Sequence, residues 1–336
     1  HALNKMRMGT SYLTQSSNKR AIALDLKTAG GREALKRLVK DWADVLVENY
    51  RPGAFKALGL GYEDLARLKP KLIYASMTAF GQDGPRGTQT AYDHAIQATS
   101  GITAATGTQA SGPIKVGVPV IDYATGTMGA FAISAALYQS LRTGQGQYID
   151  MAMLDVALVM QSSHITDYFH SGHAHQRAGN KMRFPESSMH EASDGLVQLA
   201  ASNSRQHRRF YTAIDEPAEA ARTTYDERYA RYDEKDAMIA TKLKRKTAQE
   251  WEDYLQSKHV PAARVRGLAE ALQDPQIGHR GVLHRHDHAP GVERPLTVPL
   301  AAFKFAHDGP SIERPTPRLG EHTNEVLASV GYSAAE

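Results

Sequence analysis

Between residues 21 and 154 short β-rich runs alternate with stretches of helical periodicity, and that alternation restricts the chain to folds with a parallel sheet covered by helices. Residues 21–26 (AIALDL), 45–47 (VLV) and 72–76 (LIYAS) read as strands bounded by turn residues. Residues 30–42 set Leu35, Leu38, Val39 and Trp42 at helical spacing, which makes the first three elements a β-α-β unit. Pro52 and Gly59 bracket a helix of one or two turns, and a second short helix, 62–68, ends before Pro70. The run 125–141 is long, apolar and rich in small residues, and stops at Thr143-Gly144-Gln145-Gly146. A strand at 148–151 and a helix at 154–169 follow.

A chain of 336 residues exceeds what one compact core usually holds, so a second lobe is expected. Composition changes after Gly172: residues 177–191 are polar and irregular, 196–201 (LVQLAA) reads as a strand, and 216–259 is charged and helical. Further strands are expected at 260–265 and 281–283, and a last helix at 324–330. The expected division is a large α/β domain over 1–185, a smaller α+β domain over 186–300, and a segment 301–336 that returns to the large domain.

Hydrophobic residues are 41% of the chain and charged residues 23%, the balance of a folded globular protein. The most apolar run, 128–137, falls well short of the roughly 20 residues of a membrane span and reads as a buried core helix, so no membrane association is expected. Residues 1–8 carry no apolar stretch of a secretion signal. The absence of cysteine excludes a disulfide framework, a thiolate nucleophile and thiolate metal ligation, and a cytoplasmic protein is the simplest expectation. A net charge of +4 suits an anionic small ligand. No nucleic-acid partner is expected, because Lys242, Lys244, Arg245 and Lys246 lie close to Glu250 and Glu252 in a solvated helix end without interleaved aromatics.

Phosphate-binding motifs are missing. There is no G-x-x-x-x-G-K-[ST] loop; Gly59-Leu60-Gly61 lacks a third glycine, and Gly144-Gln145-Gly146 follows a helix instead of opening one. ATP and dinucleotide chemistry are disfavoured, and no G-x-S-x-G elbow offers a serine nucleophile. The clusters His170/His173/His175 and His284/His286/His288 lack carboxylates at recognised metal spacing, so they read as a polar loop and a solvated strand edge, and no metal is expected.

Four ordered stretches speak for a function: Asn18-Lys19-Arg20 with Leu24-Asp25-Leu26-Lys27-Thr28, then Glu48-Asn49-Tyr50-Arg51-Pro52-Gly53, Ile121-Asp122-Tyr123-Ala124-Thr125-Gly126, and Arg318-Leu319-Gly320-Glu321-His322-Thr323. Together they resemble the class III, or CaiB/BaiF-type, CoA-transferases. The resemblance implies the CaiB/BaiF fold in an interlaced homodimer, with no tightly bound cofactor and with coenzyme A or acyl-CoA and a carboxylic acid as substrates. It implies Asp122 as the residue acylated by the donor and then converted to an aspartyl-CoA thioester. For CoA binding it carries over Leu24, Asp25, Leu26 and Lys27, then Asn49, Tyr50 and Arg51, and Tyr92. Family members begin with some tens of residues forming a first strand and helix; here the Asn-Lys-Arg stretch comes almost at once, so that portion is expected to be shortened.

The residues support this chemistry on their own terms. A carboxylate desolvated at a helix start can attack a thioester carbonyl to give a mixed anhydride, and Asp122 follows an apolar run and precedes a helical pattern. The plainer role for such an aspartate is a helix N-cap, and the two roles are compatible. Lys27 and Arg51 can meet phosphates, Tyr50 can stack on adenine, and strand ends of a parallel sheet are where nucleotides bind. Gln82, Gln97, Gln147, Glu186 and Ser188 are polar candidates for the acceptor acid. No glycine run between Gly172 and Gly267 offers a loop to cover the aspartate. Two other readings stay open: an α-methylacyl-CoA racemase, whose His-Asp pair is replaced here by Tyr92-Asp93 with His94 displaced by two, and a non-catalytic CoA-binding protein.

Overall fold

The computed structural model of the chain describes residues 8–333. They fall into two compact units. One runs to Ile102, resumes over Lys115–His173, and continues from Asp274; the other comprises Thr103–Ile114 and Ala174–Gln273. The second unit thus starts earlier and stops earlier than the 186–300 segment expected from composition, and it takes an excursion from the first half of the chain.

In the first unit helix α1 (Ala29–Asp41) starts where the Thr28 side chain accepts the Gly31 N–H. Ala34, Leu38 and Val39 form its buried stripe. Strands β1 (Val45–Glu48), β2 (Ile73–Thr78) and β3 (Gln147–Ala152) make a parallel sheet in the order β1-β2-β3, with Val45 opposite Ile73 and Ile73 opposite Gln147. Val39, Leu46, Phe55, Leu60, Leu65, Leu72 and Tyr74 build the core on one flank. Helices α2 (Asp93–Ser100), α3 (Val120–Thr143), α4 (Met153–Met160) and α5 (Ser162–Ser171) complete the α/β arrangement, and the expected single helix 154–169 is broken at Gln161. A hairpin pairs Leu283–His286 with Leu296–Pro299, so the further strand expected at 281–283 instead begins at Leu283, after Gly281 has capped the preceding helix in the left-handed region.

The expected strand 21–26 does not form. Its backbone pairs with a turn near the other end of the chain: the His322 N–H donates to the Ala21 carbonyl at 2.9 Å, and the Ala23 N–H donates to Thr323 Oγ1 at 3.0 Å. Gly320, at φ +69, makes that turn, and a Cβ on it would crowd Ala23, so the first and last of the ordered sequence motifs meet here. Ile22 and Leu24 pack on Leu38, Val326 and Val330. The apolar alternation does mark inward-facing residues, but their partners are a turn and a helix instead of a strand.

Helix α3 overturns another expectation. It is 24 residues long and, by length and composition alone, long and apolar enough to cross a membrane. It is not a buried core helix, since only 22% of its most apolar window is buried. Where it packs on the sheet, Gly129 faces the ends of the Met77 and Met151 side chains, and a Cβ there would displace the Met77 methyl group. It ends at Gly144, which is left-handed at φ 75 and caps the Ser140 carbonyl.

In the second unit strands β4 (Met189–Glu191), β5 (Leu196–Leu199) and β6 (Ala262–Arg264) form an antiparallel sheet, matching the strands expected at 196–201 and 260–265. Helices α6 (Ser204–Ala213), α7 (Tyr232–Leu243) and α8 (Ala248–Ser257) bury Phe210, Tyr211, Ile239, Leu243, Trp251 and Leu255 in the common core. Thr247 and Glu250 form a capping box at the start of α8.

Candidate active site

The C-terminal end of β1 carries three of the sequence-predicted residues. Asn49, Tyr50 and Arg51 follow β1 directly and are exposed. Their turn is held by Glu48, a buried carboxylate that accepts the Tyr50 N–H at 2.8 Å on one oxygen and the Ser76 hydroxyl on the other. Tyr50 lies against Phe55 with ring centroids 4.9 Å apart and keeps an outward face. Arg51 is exposed, with no ion pair among the described residues. Glu48 belongs to the quoted motif, yet its anchoring role was not foreseen; its signal is a carboxylate at the last position of an apolar strand.

Leu24, Asp25, Leu26 and Lys27 lead into α1 as a tight turn, not as the strand end expected. The Asp25 side chain accepts the Lys27 N–H at 2.9 Å, and its carbonyl accepts the Thr28 N–H at 3.1 Å. A Cβ on Gly31 would collide with that carbonyl, and Arg32 donates to the carbonyls of Leu26 and Lys27. Leu24 and Leu26 face inward and Lys27 is exposed. The two leucines therefore position the turn, and Lys27 is the side chain free to meet an anion.

Asp122 sits in the first turn of α3. Its neighbour Ile121 is fully buried with Ala79 and Ile96, and Ala79 directly follows β2, so the start of α3 stands at the C-terminal end of the sheet. The N-cap is Pro119, without a side-chain cap, so Asp122 does not fill the N-cap role that its sequence context suggested. Its carboxylate forms no hydrogen bond or ion pair among the described residues and is exposed, where strong desolvation was expected. Partial burial and then the Asp93 carboxylate still push its pKa up, while His94 opposes them.

The capping falls to a residue outside the four sequence motifs. Asp93, buried at the start of α2, accepts the Ile121 N–H at 2.7 Å and the Asp122 N–H at 3.1 Å. Gln97, one turn later, donates to Asp93 at 2.5 Å and accepts the Val116 N–H at 2.8 Å. Tyr92, just before Asp93, is 79% exposed and stacks on His94 with centroids 6.5 Å apart.

Of the polar acceptor-side candidates, Gln97 is thus committed to the scaffold. Gln147 is exposed and its amide oxygen accepts the Tyr148 N–H. Glu186 and Ser188 lie in the second unit, both buried and bonded: Glu186 to His207, Arg228 and Tyr211, and Ser188 to Phe184, Met182 and Tyr232. Gln82 remains, its backbone N–H donating to Asp150 at 3.1 Å and its side-chain nitrogen buried without a partner. Among the described residues no group of three or more His, Asp or Glu is placed to hold a metal ion; His284 and His286 contact each other at 4.5 Å between centroids.

The sequence pattern of CoA-transferase family III matches residues 2–323. The chain belongs to that family. Succinate–glutarate CoA-transferase of Agrobacterium fabrum is 36% identical to it over 334 residues, spanning 95% of this chain and 80% of the relative. The human succinyl-CoA:glutarate CoA-transferase is 30% identical over 329 residues, spanning 96% of this chain and 74% of the relative. A crystal structure of a CaiB/BaiF family protein from Brucella suis superposes at a TM-score of 0.80 with 31% identity, over 95% of this chain and 83% of that one. Rv3272 from Mycobacterium tuberculosis superposes at 0.84 with 26% identity, over 95% and 87% of the two chains. Family III membership fits the parallel sheet and the ordered motifs, and it makes the chain a CoA-transferase by kinship.

Proposed function

We propose that this family III CoA-transferase moves CoA from an acyl-CoA to a carboxylic acid through covalent intermediates on Asp122. One observation carries the reading: an otherwise unbonded carboxylate in the first turn of α3, its backbone fixed from α2, at the ligand-binding end of a parallel sheet. The Asp122 carboxylate attacks the thioester carbonyl, the C–S bond breaks, and CoA thiolate leaves a mixed anhydride. The thiolate then attacks the aspartyl carbonyl, releasing the donor acid and leaving an aspartyl-CoA thioester. An acceptor carboxylate attacks that thioester, and the returning thiolate takes the acceptor's acyl group and restores Asp122. Each step exchanges a carboxylate for a thiolate, so the thioester's free energy is kept and no ATP is required.

CoA binding is assigned to Lys27 and Arg51 for phosphate, Tyr50 for the adenine face, and the turn residues Leu24, Asp25, Leu26 and Asn49, with Tyr92 beside the reacting centre. The names of the relatives point to short dicarboxylates as the first donors and acceptors to assay. A homodimer is supported by the outward apolar face of α3, where Phe131 is 73% and Leu141 86% exposed.

A racemase reading has one observation in its favour, since His94 lies close enough to Asp122 to act on its charge. Two measurements separate the readings. A transferase, incubated with a donor thioester, yields an adduct on the Asp122 peptide trappable by hydroxylamine or borohydride. A racemase yields no adduct and washes solvent deuterium into the α-carbon of a 2-methylacyl-CoA without any acceptor acid.

A further inference from the structure

Helix α3 begins in an unusual way. The first N–H groups of a helix need acceptors, and the common solution is the side chain of the N-cap residue itself. Here the N-cap is Pro119, which has no acceptor on its side chain. The acceptor is imported from Asp93, 29 residues away from Asp122 in sequence. Both oxygens of Asp93 are in use: one takes the N–H groups of Ile121 and Asp122, the other the amide of Gln97. Gln97 is also spent at both ends, because its oxygen takes the Val116 N–H. The pair therefore ties the segment from Val116 to Asp122 to α2 by three hydrogen bonds and braces itself with a fourth.

A local serine or aspartate at the cap would satisfy the same N–H groups without burying a carboxylate, which is costly unless fully bonded. What the imported acceptor adds is position. It fixes the backbone of the attacking residue to a second helix whose Ile96 is fully buried in the same cluster as Ile121. Asp122 makes no side-chain bond that could hold it, so its direction is set through its own amide.

We propose that Asp93 and Gln97 are positioning residues that hold the Asp122 carboxylate in line for attack on the thioester. The proposal rests on the reading of Asp122 as the nucleophile. Nucleophilic attack is sensitive to placement, and an error near 1 Å can cost about 10²-fold in rate.

Asp93→Asn puts an NH2 where an oxygen now accepts, so it faces donors: either the two backbone N–H groups or the Gln97 amide. Adding Gln97→Glu turns the second contact round. In the double variant the introduced amide can accept both backbone N–H groups through its oxygen and donate to the introduced carboxylate. The other oxygen of that carboxylate still takes the Val116 N–H, and the net charge of the pair is unchanged. The test measures the rate of adduct formation on Asp122, the KM for the acyl-CoA and the melting temperature in each variant. The expected result is an approximately 10²-fold slower adduct rate in the folded D93N variant with KM little moved, and recovery of most of the rate in D93N/Q97E. An adduct rate in D93N equal to the wild type, or lost only in proportion to unfolded protein, overturns the positioning role. If D93N does not fold, Gln97→Met reads the same pair: about tenfold slower adduct formation is expected, and an unchanged rate overturns the role. Absence of any adduct in the wild type removes the nucleophile reading first and this inference with it.

Discussion

The proposed nucleophile was legible in the sequence because it stood in an ordered set of motifs at a helix start; its support was not. Asp93 looks from the sequence like any aspartate opening a helix, and nothing within one turn reveals that its carboxylate serves a helix 28 residues away. Glu48 was hidden in the same way, within a motif but with partners brought to it by β2. Attack requires an ionised Asp122, and burial followed by the Asp93 charge raises its pKa above 3.8, with His94 opposing. The acid limb of kcat/KM should therefore lie above that of an unperturbed aspartate and move down in D93N; a limb at the unperturbed value that D93N leaves in place contradicts this. Lys27→Ala and Arg51→Ala should raise KM for the acyl-CoA while leaving kcat nearly unchanged, because phosphate contacts bind substrate and transition state alike. Steady-state kinetics with wild-type KM in both variants would place the CoA site elsewhere.

At the scale of elements, periodicity found β1, β2, β3, β5 and β6, but it could not tell who their partners were. Residues 21–26 alternate as a strand should, yet their backbone is satisfied by the turn at Gly320–Thr323, a pairing across the whole chain. The length of α3 was missed because Gly, Ala, Ser and Thr dilute its apolar pattern. In the second unit the elements are joined by a charge cluster that no local pattern shows. Glu186 is fully buried and receives His207 at 2.7 Å, Tyr211 at 3.2 Å and Arg228 at 3.1 Å. Burial alone would raise its pKa, but the His207 and Arg228 bonds outweigh it and the net shift is downward. A carboxylate with a lowered folded pKa adds stability above its unfolded pKa, near 4.5, and loses it as pH falls through the lower folded value. Arg228→Ala strands the buried carboxylate and should cost about 3–5 kcal/mol, with acid unfolding moved to higher pH. Denaturant melts at pH 7 and pH 4 check both; a cost below about 1 kcal/mol contradicts the role given to the pair.

For the whole molecule, the α/β class with a parallel sheet was legible from alternation, while the division into units was not, because the second unit borrows Thr103–Ile114 from the middle of the first. The outward apolar face of α3 predicts self-association: light scattering should give about twice 36.8 kDa, and a monomer would leave that face without its proposed partner. The proposed catalysis depends on covalent chemistry at Asp122. Its most direct test is mass spectrometry of the Asp122 peptide after incubation with a short dicarboxylyl-CoA and trapping. A mass increment on Asp122 is expected in the wild type and none in a folded Asp122→Asn variant. Turnover of CoA between acids with no increment on that peptide, or with undiminished rate in Asp122→Asn, would contradict it.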